Sequence, residues 1–166
     1  MTQLSYGNQP IAYEGMHGDA GYDSRVVTAV DPANASNFGR AAILGTNPGE
    51  FQVPDGANGT LIGITVHSHS HDPSATSSTE SVAATEPVNI MTKGRVWVIP
   101  EAEVDDITDG VFYRFQNAGA APEGNGRFRP DNDGGSGDVA QITAGARWLS
   151  TGLAGTPVLL EINIPV

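Results

Sequence analysis

The sequence predicts an all-β fold, a jelly-roll-like antiparallel β-sandwich with an extended N-terminal arm. The first reason is the frequency of turn residues. The 166 residues include 21 Gly and 11 Pro, which separate short, β-branched apolar runs as turns separate strands. The second is the scarcity of good helix formers, with a single Lys in the whole chain. A chain of this length is sufficient for one domain with a buried core.

Apolar runs bounded by turn residues predict about nine strands, a number that suits a double-sheet sandwich. We expect Lys93-Gly94 to form a tight turn between two of them. Residues 102–110 indicate a short helical turn, and the Gly- and Asp-rich stretch 116–138 indicates a long exposed loop. The predicted strands are 24–30, 38–45, 50–54, 60–67, 86–92, 95–100, 110–115, 142–150 and 157–166.

The first 24 residues have no clean periodicity, and they are rich in Gly. We therefore divide the chain into an N-terminal arm, residues 1–24, and a β-sandwich domain, residues 25–166. Such an arm is either disordered or laid on a neighbouring subunit, and tyrosines supply contact area at interfaces. Tyr6, Tyr13 and Tyr22 are accordingly predicted interface residues. The alternative is that Ile11 and Tyr13 form an extra edge strand of the domain itself.

The charge balance excludes several classes of partner. There are 19 acidic and 8 basic residues, for a net charge of -11, and the cations are not clustered as phosphate binding requires. We therefore expect no nucleic-acid partner, and an acidic surface also repels anionic lipid. The sequence shows no secretory signal and no apolar run near 18 residues, so no membrane span is expected. The absence of Cys excludes disulfides and thiolate metal sites.

Three of the four histidines raise the question of a metal site. His67, His69 and His71 alternate along a predicted strand end, so neighbours could share one Zn²⁺ or Fe²⁺ if a further ligand came from elsewhere. The H-x-H motif of the cupins continues to a Glu four or five residues later, but Ala75 and Thr76 stand there, and no His follows. Nucleophile-elbow and phosphate-loop motifs are also missing. The sequence thus predicts no catalytic residue, cofactor or metal, and a cupin-like enzyme is the alternative.

Four segments occur in an order that belongs to a known family. They are "FGRAAILG", "LIGITV", "VNIMTKGRVWV" and "ITAGARWLSTGLAGTPVLLEI". In this order the chain resembles the structural cement, or capsid decoration, proteins of tailed bacteriophages over residues 24–166. The resemblance implies a non-enzymatic virion protein, made in the host cytoplasm, that sits on the outer surface of the head and clamps major capsid protein subunits. A homo-oligomer, dimer or trimer, is expected, and a tail or receptor-binding sandwich is the other alternative.

Three arginines lie within these family-like segments. Because the chain has few cations, Arg40, Arg95 and Arg147 are expected to pair with carboxylates, either inside the sheet or across a subunit boundary. Both possibilities stay open from the sequence, and the three are predicted interface residues.

Overall fold

An antiparallel seven-stranded sheet forms the centre of the protein. The computed structural model describes residues 12–18, 23–56, 58–67, 81–121 and 123–165. Their strands are β1 (Arg25–Val30), β2 (Ser36–Asn37), β3 (Ala41–Leu44), β4 (Phe51–Gln52), β5 (Leu61–Val66), β6 (Ser81–Val82), β7 (Pro87–Val98), β8 (Phe112–Arg114), β9 (Phe128–Arg129), β10 (Val139–Gln141), β11 (Ala146–Trp148) and β12 (Val158–Asn163). One short 3-10 turn, Asp133–Gly135, is the sole helix in these ranges, and no helix there has the length and hydrophobicity to cross a bilayer.

The large sheet has the order β11-β12-β7-β5-β3-β4, and β1 also pairs with β7. A three-stranded sheet, β10-β8-β9, and the pair β2-β6 complete the structure. All the strand pairs are antiparallel. The prediction of an all-β antiparallel fold is therefore confirmed, while the jelly-roll topology stays a prediction.

Both faces of the large sheet bury apolar residues. On one face a core joins β5, β7 and β12 to Tyr113 and Phe128 of the three-stranded sheet. On the other face a smaller core joins Phe38, Phe51 and Val82 to the N-terminal half of β7. Since successive strand residues point to opposite faces, β3 contributes to both cores, which explains its uninterrupted apolar sequence.

Strand β7 runs straight through Lys93-Gly94, so the predicted turn at this position is wrong. The strand instead carries an irregularity: its pairing with β1 skips one residue between Met91 and Lys93, and Gly94 has a φ of 138°, a value that favours Gly. An extra residue reverses the side-chain alternation. Accordingly Ile90 faces the smaller core, whereas Val96, six residues later, faces the larger one.

The prediction of a long exposed loop over residues 116–138 is also wrong in part. This stretch includes β9, whose Phe128 is fully buried, and Arg129 is buried beside it. Likewise, residues 102–110 form turns and no helix.

The segment of residues 12–18, here called the N-terminal segment, is bonded to the domain on two sides. Gly15 and Gly18 donate backbone hydrogen bonds to β7, at Trp97 and Arg95, and His67 at the end of β5 donates to the Gly15 carbonyl. A Cβ on Gly15 would collide with Phe38, so the chains meet too closely there for a side chain. These contacts attach residues 15–18 to the sheet, whereas Ile11 of the predicted edge strand lies outside the described residues. The division into an arm, 1–24, and a domain, 25–166, stays a prediction.

Candidate protein-interaction surface

Two of the predicted interface residues meet on one carboxylate. In the sheet register Arg147 of β11 lies opposite Glu161 of β12, which lies opposite Arg95 of β7. Arg147 donates from Nε to Glu161 Oε1 at 2.8 Å, and Arg95 Nε donates to Glu161 Oε2 at 3.1 Å. Residues directly opposite share a face of the sheet. The ladder therefore combines two positive charges with one negative charge, and the Arg147 side chain is 65% exposed.

The other exposed cations lie on the same face. Lys93 is two residues before Arg95 on β7 and therefore points the same way, and its register partner on β1 is Arg25. Lys93 pairs with Asp23. The chain has 8 Lys and Arg residues, and four of them, Arg25, Lys93, Arg95 and Arg147, make up this patch, which we call the basic face. It is a local exception on a protein of net charge -11.

The remaining four cations are buried or nearly so. Arg40 pairs with Glu14 of the N-terminal segment at 3.6 Å, and Arg127 pairs with the same carboxylate at 3.5 Å. Arg114 donates to both oxygens of Glu101, at 3.0 and 2.9 Å. Arg129 also pairs with Glu101, at 3.6 Å, and we call Glu101 with these two arginines the Glu101 group. Burial raises the pKa of Glu14 and of Glu101 against the opposing effect of the arginines.

The structure thus pairs all three predicted arginines with carboxylates of the same chain. Arg95 and Arg147 do so at the surface, whereas Arg40 does so in the interior, where its side chain is 8% exposed. Their roles as interface residues stay predictions, and for Arg40 that role would require the N-terminal segment that covers it to move.

Strand β1 presents a second feature. Val26 and Val27 are 37% and 38% exposed, although adjacent strand residues point to opposite faces. Among the described residues, β1 pairs along its length with β7 alone, apart from one bridge from Val30 to Glu50. Within the described part of the chain, β1 is therefore an apolar strand at an open sheet edge.

Of the three tyrosines and three histidines singled out in the sequence, the structure describes one each. Tyr13 is 47% exposed, and its ring meets His67 edge-on with centroids 4.9 Å apart. The other ring face of His67 packs on Phe38 at 3.8 Å. Tyr6, Tyr22, His69 and His71 lie outside the described residues, and the interface role of Tyr13 stays a prediction.

Sequence reasoning missed Val26, Val27, Arg25 and Lys93. A signal existed for the valines, because two adjacent apolar residues in an edge strand cannot both face one core. No such signal existed for the cations. Arg25 and Lys93 are 68 positions apart, and only the β1–β7 register brings them together.

Comparison with known proteins identifies the family of the chain. A phage family profile described as "Structural cement protein (E217 gp24/Pam3 gp6)" matches residues 2–163. No curated protein sequence matches the chain. A chain from a solved structure entitled "The capsid of Myoviridae Phage XM1" has a similar fold, with a TM-score of 0.69 at 16% identity, covering 98% of this chain and 97% of that chain.

At that identity the structural similarity shows the fold alone, but the family profile covers almost the entire sequence. The chain therefore belongs to the structural cement protein family of phages and is a capsid-stabilising structural protein.

Proposed function

We propose that this protein binds the outer surface of the phage head and holds neighbouring major capsid protein subunits together, acting by binding and not by catalysis. The observation that carries the proposal is the open edge at β1, where Val26 and Val27 are both exposed. An open edge with apolar side chains on both faces is a template for pairing with another chain, and adding a strand to such an edge is a common mode of protein recognition.

Lattice binding explains how contacts of modest strength can stabilise a head. A ligand that binds the assembled lattice better than the separated subunits stabilises the lattice by mass action. Many copies on one shell also turn weak contacts into a strong total effect, particularly if the protein self-associates as a dimer or trimer. The proposed place of synthesis is the host cytoplasm, with the protein joining the virion after the head has expanded.

The proposal is tested by co-sedimentation with expanded heads that lack the protein and with unexpanded shells. We expect binding to expanded heads to be at least about tenfold tighter, a difference of about 1.4 kcal/mol, and we expect the melting temperature of the heads to rise. Val27→Lys should weaken head binding by at least as much, since it places a charge in the proposed contact.

The matched control is Leu44→Lys, because Leu44 is also exposed on a strand but lies on β3, which pairs with β4 and β5 and not with β1. Equal binding to both particles, or equal loss from both variants, would contradict the proposal.

A further inference from the structure

An acidic loop with an apolar tip lies beside strand β11. Glu103, Asp105, Asp106 and Asp109 surround Ile107, whose side chain is 51% exposed. Asp106 accepts hydrogen bonds from the amide and the hydroxyl of Thr108, both at 2.8 Å, and these bonds hold the tip in a turn. We call residues 103–109 the acidic loop.

Both ends of this loop are fixed next to β11. Val104 is fully buried and exchanges two backbone hydrogen bonds with Gly152, each at 2.9 Å. At the other end, the Gly110 carbonyl accepts a hydrogen bond from Trp148 Nε1 at 3.0 Å. The tip is thus held in place before any partner arrives, which lowers the entropic cost of binding.

The carboxylates of the loop have no cation of their own. Among the described residues, no Lys or Arg forms an ion pair with the acidic loop. Desolvation, together with the neighbouring charges of Asp105 and Asp106, raises the pKa of Asp109. An approaching cation would relieve this repulsion.

A small pocket also lies at β11, between this strand and β12. It has a volume of about 250 Å³ and is lined by Gly145, Ala146, Arg147, Glu161, Ile162 and Asn163. A water molecule takes about 30 Å³ of liquid, so the pocket has room for a four-carbon side chain. Arg147 and its partner Glu161 both line the pocket, and the other cations of the basic face lie on β7 and β1.

We propose that the acidic loop of one copy of this protein docks on the basic face of a second copy, with Ile107 in the pocket and Asp105 beside Arg147. The second copy is the occupant because its loop carries the matching features. The loop has an exposed aliphatic tip and carboxylates without an ion pair among the described residues, and the pocket has Ala146 in its lining and Arg147 beside it. The loop and the pocket flank the same edge strand, so one two-fold axis near β11 makes both contacts twice, as a self-complementary dimer surface requires. The inference rests on the self-association proposed above and does not depend on head binding.

Charge exchange between two variants tests this arrangement. Arg147→Glu and Asp105→Arg should each weaken dimerisation by at least tenfold in analytical ultracentrifugation, because each variant alone brings like charges together twice. In a mixture of the two, one contact has its charges exchanged and the other is wild type. The mixture should therefore dimerise within about threefold of wild type, a difference under about 0.7 kcal/mol.

Control variants and further measurements separate the possible outcomes. Asp55→Arg carries the same charge change outside the loop and should leave dimerisation unchanged, and thermal melting confirms that each variant is folded. A wild-type protein that stays monomeric at about 1 mM, or a mixture as weak as its components, would overturn the inference. So would an Arg147→Glu variant that dimerises normally but loses head binding, since the basic face would then contact the capsid. Restored dimerisation in a protein that binds no heads would leave the inference standing and reject the proposed function.

Discussion

Glu14 and Glu101 are both buried carboxylates held between two arginines, yet the two sites differ in how well they are satisfied. Glu101 accepts from Arg114 Nε at 3.0 and 2.9 Å and from the Gly124 amide at 2.9 Å. Glu14 has its arginine contacts at 3.6 and 3.5 Å. Its Oε1 atom, and the Nε and Nη1 atoms of Arg40, are buried without a hydrogen-bond partner among the described residues.

The difference reflects what each site attaches to the domain. The Glu101 group lies where the stretch 116–138 returns to the core, and Asp133 adds contacts to Arg114 and Arg129. This stretch is poor in apolar residues, so short ion pairs add to the pairing of β9 with β8 and to the burial of Phe128. Glu14 attaches the N-terminal segment, where backbone hydrogen bonds to β7 already fix the position. A buried charge with long contacts is weakly compensated, so we expect the N-terminal segment to be the more easily released of the two.

The largest effect is expected for Glu101→Gln. It should lower the free energy of unfolding by about 3 kcal/mol, because it removes the closest partner of the fully buried Arg114, which then keeps Asp133 at 3.0 Å. Arg129 keeps Asp131 and Asp133. Urea denaturation measures the change. Glu103→Gln, an exposed change two residues away, should stay within about 0.5 kcal/mol of wild type. Similar losses of unfolding free energy in both variants would show that the Glu101 group does not attach the stretch 116–138.

The next effect concerns the N-terminal segment as a whole. Removing residues 1–18 should cost about 2 kcal/mol more than removing residues 1–11. The longer deletion removes four backbone hydrogen bonds to β5 and β7, each contributing about 0.5–1.5 kcal/mol net, offset in part by the ordering entropy of the segment. Hydrogen exchange at the amides of Trp97 and His67 provides a local measurement. If these amides keep the same protection in both deletions, the segment does not complete the sheet.

A smaller effect is expected for Glu14→Gln, about 1 kcal/mol at neutral pH, because the contacts it removes are long. Its pH dependence is more informative. Burial raises the pKa of Glu14 in the folded state. The contribution of Glu14 to the free energy of unfolding is therefore complete below its unfolded-state pKa. It declines as the pH rises through the folded-state pKa.

The stability difference between wild type and Glu14→Gln should consequently be larger at about pH 4.5 than at pH 7. Paired urea titrations at the two values provide the measurement. A difference that shrinks on acidification would mean that the arginines, and not burial, dominate the pKa of Glu14.

The sequence predicted local strands well because their signals are local. The β-branched run at 60–67 corresponds to β5, Leu61–Val66, and the run at 24–30 corresponds to β1, Arg25–Val30. Lys93-Gly94 misled the prediction because Gly is typical both of tight turns and of strand irregularities. Choosing between them requires knowing that β1 and β12 flank β7 at this point.

The candidate surface was less predictable because it depends on long-range register. Arg95 and Arg147 were selected from their motifs, but their meeting on Glu161 follows from three strands aligning. The burial of Phe128 and Arg129 within the stretch 116–138 depends on long-range pairing in the same way, and a composition rich in Gly and Asp gives no indication of it. The predictions that concern residues outside the described ranges, among them Tyr6 and His69, stay predictions.

The smallest effect should be that of Arg147→Ala on the stability of the monomer. Arg147 is largely exposed, and exposed ion pairs contribute about 0.2–1 kcal/mol because water screens them and the side chain loses entropy on pairing. Glu161 also keeps Arg95 as a partner, so the change in unfolding free energy should be under about 0.5 kcal/mol. Urea denaturation at protein concentrations below the dimer dissociation constant measures it, with Arg40→Ala as the buried counterpart.

Arg40→Ala should lower the free energy of unfolding by more, because it leaves the buried Glu14 with Arg127 as its remaining charged partner. If Arg147→Ala destabilised the monomer as much as Arg40→Ala, the basic face would be part of the fold, and the contrast between interior and exposed arginines would fail.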